Sequence, residues 1–250
     1  MRKSNYDKFP STRTDGMAIV GWEKIVSTLN EQWADEPIWA IDLYTGTYEE
    51  DFLSAFAKTG RRIIDTRSLM RPEEEIRQFT ERFITDDVLF GYVSNVKLEE
   101  YFDSSKVQGF KSSRIQEPCI IIGTGAAFVA EKYSPKGGAE RGFPVAYADM
   151  ARWEIQQRFR RHEVKALGID NSQEGPSLQY KRGLFNDWII CDRYKDLLIQ
   201  SCSIQYWIDS NNRQEPKMIS DQQFRQGGRG IAKAIACTEC TCVPLTGGHL

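Results

Sequence analysis

Histidine is scarce in this chain: two residues in 250, His162 and His249. A site that needs several imidazole ligands on one metal is therefore excluded. A basic surplus is missing too. Lys and Arg number 33 against 35 Asp and Glu, a formal net charge of −2, which argues against a general nucleic-acid binder. No apolar run approaches the roughly 18 residues that cross a bilayer. The charged start Met1-Arg2-Lys3 has no apolar stretch behind it, so the sequence predicts neither a membrane segment nor a signal peptide. The expected location is cytoplasmic.

What is present is ordinary for a folded domain. Hydrophobic residues make up 40% and charged residues 27%, and a chain of this length buries enough surface to need neither disulfide nor metal. Of six cysteines, Cys119, Cys191 and Cys202 lie among apolar neighbours and read as small core residues. Cys237, Cys240 and Cys242 cluster ahead of His249. Thiolates so close can share zinc, but no second Cys/His pair follows at finger spacing, and no metal site is assigned. From about residue 226 the patterning fails, so we expect a domain over 1–225 and an atypical tail over 226–250, as a truncation or frameshift would leave.

The periodicity predicts alternating short strands and amphipathic helices. Ile38–Leu43, Arg62–Asp65, Cys119–Ile122, Val145–Ala148 and Ser203–Ile208 are apolar runs of buried-strand type. Helical spacing follows at Trp22, Ile25, Val26 and Leu29, at Phe52–Ala57, after Pro72, and over Met150–His162. Such alternation predicts a three-layer α/β sandwich with a mainly parallel sheet. Ligands in these folds lie beyond the carboxyl ends of the strands. Those ends carry Asp42, Asp65, Gly123-Thr124-Gly125 and Asp149, each serving either as a site residue or simply as a strand end or helix cap.

The first strand runs into Tyr44-Thr45-Gly46-Thr47-Tyr48-Glu49-Glu50-Asp51. Strand, Gly-containing turn and helix are the parts of a phosphate loop, in which backbone N–H groups and a Lys hold the phosphates. Here Glu49 stands at the Lys position and Glu50 at that of the Mg²⁺-binding hydroxyl. Two carboxylates repel a triphosphate, so the loop is degenerate. Gly123-Thr124-Gly125 lacks the third Gly and the acidic ribose partner of a dinucleotide turn.

Other segments resemble the uridine-kinase-like branch of P-loop kinases. Val145–Arg161 is similar to its fourth strand and arginine-rich lid helix, Asp65 to its acceptor-facing acid, and Tyr206–Asp209 to its last strand. The resemblance implies a P-loop kinase-like fold, in which Gly123–Gly125, Arg158, Arg160 and Arg161 contact phosphates of a nucleotide or sugar phosphate. The alternative for these arginines is a solvated helix face. His162 is expected at the end of that helix, where a cation meets the dipole favourably.

A second resemblance is more specific. Met1–Pro10, Thr85–Tyr92, Gly123–Ala127, Tyr147–His162 and Leu178–Trp188 together resemble the N-terminal region of bacterial class I mannose-6-phosphate isomerase-like proteins, where such a region precedes a cupin isomerase domain. That resemblance implies an accessory role in sugar-phosphate metabolism, with the cupin domain as partner. It implies no cofactor in this chain, since zinc belongs to the cupin. Two histidines and no run of alternating strands cannot build that barrel site, so the chain alone is expected to lack isomerase activity. Two further readings stay open: a small-molecule or nucleoside kinase with an unconventional nucleotide site, using Asp65 or Asp149 as base or Mg²⁺ ligand, and a non-enzymatic interaction domain. For the latter, Trp188, Tyr194, Tyr206 and Trp207 serve either as contact surface or as core.

Overall fold

A computed structural model of the chain describes residues 16–112, 117–133, 143–201 and 203–228. The Met1–Pro10 motif, the Cys237–Cys242 cluster with His249, and all but the first residues of the expected tail lie outside the described residues.

The sheet is built around Ile38–Leu43 (β2), whose six residues are all buried. Alternation sends Ile38 and Ala40 into one core and Trp39, Ile41 and Leu43 into another, so the strand is covered on both faces. Arg62–Asp65 (β3), Cys119–Gly123 (β4), Val145–Asp149 (β5) and Ile204–Asp209 (β6) run parallel to it. Two short strands, Ile19–Val20 (β1) and Lys217–Ser220 (β7), extend the β6 edge antiparallel. The order is β1-β7-β6-β5-β2-β4-β3. The five parallel strands thus lie as β3-β4-β2-β5-β6, a three-layer α/β sandwich of P-loop kinase-like type. The chain leaves β2 towards β3 on one side and later fills β5 on the other, which opens the crevice typical of a topological switch point at the carboxyl end of β2.

One layer consists of Trp22–Gln32 (α1) and Glu49–Ala57 (α2). The opposite layer holds Glu73–Ile84 (α3), Ser104–Ser112 (α4), Ala126–Tyr133 (α5), Arg152–Arg160 (α6), Pro176–Arg182 (α7) and Trp188–Gln200 (α8). A π-helical turn, Gly183–Asp187, joins the last two. The lid-like helix is shorter than its pattern suggests: it ends at Arg160, and His162 adopts a positive φ of 55° with Nδ1 3.0 Å from the Ser172 carbonyl. His162 therefore sits in the turn beyond the helix. Trp188, Tyr194 and Trp207 are buried and Tyr206 partly so, which makes them core rather than contact surface. Among the described residues no helix is long and apolar enough to cross a membrane.

Candidate functional site

The turn after β2 is shorter than a phosphate loop. Thr47 N donates to Tyr44 O at 3.2 Å, closing a four-residue turn with Gly46 in third place at φ 92°. That position favours Gly, because a side chain at positive φ is strained. A Cβ there would also meet Ile155 Cγ2 at 3.0 Å. α2 then begins with Glu49, Glu50 and Asp51 in its first turn. The positive end of its dipole is thus neutralised by carboxylates of the helix itself. Glu49 accepts from Arg67 Nε at 3.1 Å and Nη2 at 3.3 Å, and Asp51 accepts both arms of Arg213 at 2.7 and 2.8 Å.

A cleft of about 170 Å³ lies between this turn, the ends of β3 and β4, and residues 163–168. That is below the ~300 Å³ at which drug-sized sites begin, and it suits a small polar ligand. Its charged lining is Glu49, Glu50, Asp65, Arg67, Glu163 and Lys165. Both cations are engaged, Arg67 with Glu49 and Lys165 with Asp170 Oδ2 at 2.7 Å. Asp65 Oδ1 accepts from Arg67 N at 2.8 Å, capping the short turn Thr66–Leu69. Glu50 makes no ion pair among the described residues. Negative charge is in excess.

Of the expected site residues, Gly46, Asp65 and Thr124 line this cleft, and Gly123 adjoins it. Gly123 has φ 128°, and a Cβ on it would lie 2.0 Å from Thr66 Oγ1, so the buried Thr66 side chain packs directly on the glycine of the β4 turn. Asp42 and Gly125 do not line it. Asp42 is fully buried; its carboxylate accepts from Gly125 N at 3.0 Å, Ala127 N at 2.8 Å and the Tyr194 hydroxyl at 2.9 Å. It caps α5 from the neighbouring strand. Burial raises its pKa to about 7, against the pull of those hydrogen bonds towards the charged form.

The arginines do not gather around the cleft. Arg158 is fully buried: Nη1 donates to Gly46 O and Nη2 to Ser210 O, each at 2.8 Å, over the Tyr48 ring at 3.9 Å. Burial lowers its pKa. Its donors go to loop carbonyls and to Glu154 Oε1, 3.3 Å from Nε, so it holds the turn from behind. Arg161 pairs with Glu163 at 2.8 Å and Glu154 at 3.1 Å. Arg160 faces a separate groove beside α7. Asp149 lies on the β5 side, bonded to Met150 N at 2.8 Å and Lys195 Nζ at 3.1 Å. There Tyr44 donates to Asp192 at 2.9 Å, and Arg152 pairs with the same carboxylate. Among the described residues no three His, Cys, Asp or Glu side chains are placed to share a metal.

Sequence reasoning missed Arg67, Glu163 and Lys165. The Glu49/Arg67 pair had one readable signal, an acidic helix start facing the Arg just beyond a strand end. Residues 163–168 carry no periodic signal, and only the fold brings them to the turn.

The chain belongs to a family described as Domain of unknown function (DUF8485), whose model matches residues 21–233. No curated protein sequence matches the chain. Among solved structures it is similar to a gluconokinase from Sinorhizobium meliloti 1021, at 14% identity and a TM-score of 0.37 over 78% of this chain and 91% of that one. The fold is read from the strand order above, not from this likeness.

Proposed function

We propose that this domain binds a small hydroxylated or cationic ligand in the acidic cleft and does not transfer phosphoryl groups. In this reading it is an accessory, ligand-sensing domain in sugar-phosphate metabolism, working beside a mannose-6-phosphate isomerase of the cupin type. The observation that carries the first part is the first turn of α2. Three carboxylates occupy the helix end that a phosphate loop leaves for the anion, and Arg67 is held by Glu49. Carboxylates such as Glu50 and Asp65 are acceptors for sugar hydroxyls and poor neighbours for a polyphosphate. The set of motifs shared with isomerase N-terminal regions supports the second part.

Calorimetry of the purified chain tests both. Mg·ATP is expected to bind no tighter than the millimolar range, while a neutral hexose or polyol binds more tightly and loses affinity in Glu50→Gln. Micromolar Mg·ATP binding overturns the reading. So does metal-dependent exchange of fructose-6-phosphate and mannose-6-phosphate by the chain alone.

The kinase-like reading is favoured by one observation: Asp65, at the end of β3, shares the cleft with Arg67 and Lys165. It predicts phosphate transfer to a small hydroxylated acceptor, abolished by Asp65→Asn and weakened by Arg67→Ala. Arg158→Ala is uninformative there, because that residue supports the turn.

A further inference from the structure

The segment after α3 places its apolar residues outward. Val88 is 86% exposed, Leu89 71%, Phe90 69%, Tyr92 69% and Val93 59%. Single exposed apolar residues are ordinary in folded proteins. A consecutive run of them is an error of design unless it serves a function.

This run is not a loose loop. Thr85 Oγ1 donates to Phe90 O at 2.7 Å, and Asp87 Oδ1 accepts from Leu89 N at 2.7 Å and Phe90 N at 2.6 Å. The buried Lys181 ammonium donates to the Asp87 carbonyl, and Tyr92 N donates to Phe83 O at 2.8 Å. Gly91 makes the close approach possible, since a Cβ there would fall 2.4 Å from Phe83 O. The backbone is fixed while its side chains stand in solvent, so little backbone entropy remains to be lost on docking.

Beside this knob lies a groove of about 360 Å³, bordered by Val88 and Leu89, by Gln156 and Arg160 of α6, and by Tyr180 of α7. The charges around the pair are complementary. Asp86, at the base of the knob, is exposed, and Arg160, in the groove, lies over the Trp153 ring at 6.0 Å. Neither makes an ion pair among the described residues.

A knob and a groove on one face, each with a charge of opposite sign, is the requirement of a two-fold interface, in which the same patch meets itself. We propose that a second copy of this chain docks here. The Phe90 tip of each protomer enters the partner's groove, and Asp86 of each faces Arg160 of the other. A standard interface hides roughly 800 Å² per partner, to which the five exposed apolar side chains and the groove walls contribute.

Sedimentation velocity of the full chain across the micromolar range tests this. The wild type is expected to shift from the 28.7 kDa monomer towards twice that mass. Phe90→Asp is expected to weaken the dimer at least about tenfold, with an unchanged far-ultraviolet circular dichroism spectrum. Asp86→Arg and Arg160→Asp each weaken it, and the two together restore it, because the reversed pair attracts again. A wild type that stays monomeric, or a dimer indifferent to Phe90→Asp, overturns the proposal. Failure of the double reversal to rescue overturns the Asp86–Arg160 pairing, and with it the two-fold geometry proposed here. A monomeric chain that instead binds another protein through Phe90 assigns the face to that partner.

Discussion

Two helices start at the open end of the sheet, α2 after β2 and α5 after β4, and both carry glycine in the turn before them. Each start is a place where backbone N–H groups point at a would-be anion. α5 is filled from across the sheet, by the buried Asp42 carboxylate. α2 has no side-chain cap but carries its own exposed or half-buried Glu49, Glu50 and Asp51 in its first turn. The first solution is part of the core and costs desolvation, visible in a pKa raised to about 7. The second is electrostatic and reversible by substitution. The strand order is that of a P-loop kinase-like fold, while both helix starts are surrounded by carboxylates of the chain itself.

The largest effect that separates the two solutions is expected from Asp42→Ala. It strands two backbone N–H groups and the Tyr194 hydroxyl in the core, at about 3–5 kcal/mol of unfolding free energy in urea. The parallel removal of Glu49 is expected to cost under about 1 kcal/mol. Equal losses at the two sites would erase the distinction.

The pH dependence follows next. Asp42 and Asp187 are both raised by burial, to about 7 and about 6, from near 3.8. The folded state therefore binds more protons than the unfolded chain between about pH 4 and pH 7. Stability contributed by these groups is full below pH 4 and lost as the pH rises through 6 to 7. At about 1.36 kcal/mol per unit, the Asp42 part is on the order of 4 kcal/mol. Unfolding measured across that range should lose most of this slope in Asp42→Asn. A slope unaltered by that change shows that Asp42 does not carry it.

Gly123→Ala sharpens the geometry of the β4 turn. A Cβ 2.0 Å from Thr66 Oγ1 at φ 128° is expected to cost about 2–3 kcal/mol. Gly46→Ala, against a side chain that can yield, is expected to cost about 1–2 kcal/mol. Thermal unfolding ranks the two, and the reverse order contradicts the packing described.

The smallest effect concerns α2 alone. Glu49→Gln with Glu50→Gln is expected to raise inorganic phosphate affinity about three- to tenfold at low salt, near 1 kcal/mol in dipole and charge energy. No change in a titration would mean that the turn's geometry, rather than its charge, keeps anions out.

The central strands were legible because each is an apolar run covered on both faces. β1 and β7 were not, since two and four residues at an antiparallel edge have no period to read. Gly46, Asp65 and Thr124 were found from their position after strands, and the charge of the α2 start was plain in Glu49-Glu50-Asp51. The placement of Arg158 was hidden for a physical reason. Arg158 looks like a solvated helix residue until the fold supplies the carbonyls of Gly46 and Ser210, which are 112 and 52 residues away. Asp42 and Asp65 are alike in sequence, one acid after one apolar run. Only the proximity of α5 decides that one becomes a buried cap on a neighbouring helix, while the other caps its own short turn and walls the cleft.

That same Arg158 turns two loops into one mechanical link. Ser210 is itself tied by N and Oγ to the Asp149 carbonyl, each at 3.0 Å. A ligand that lifts the Gly46 turn must either tear the guanidinium from a buried carbonyl or drag the loop between β6 and β7 with it. The sheet need not flex for occupancy of the cleft to be felt at the carboxyl end of β5, on the other side of the switch point.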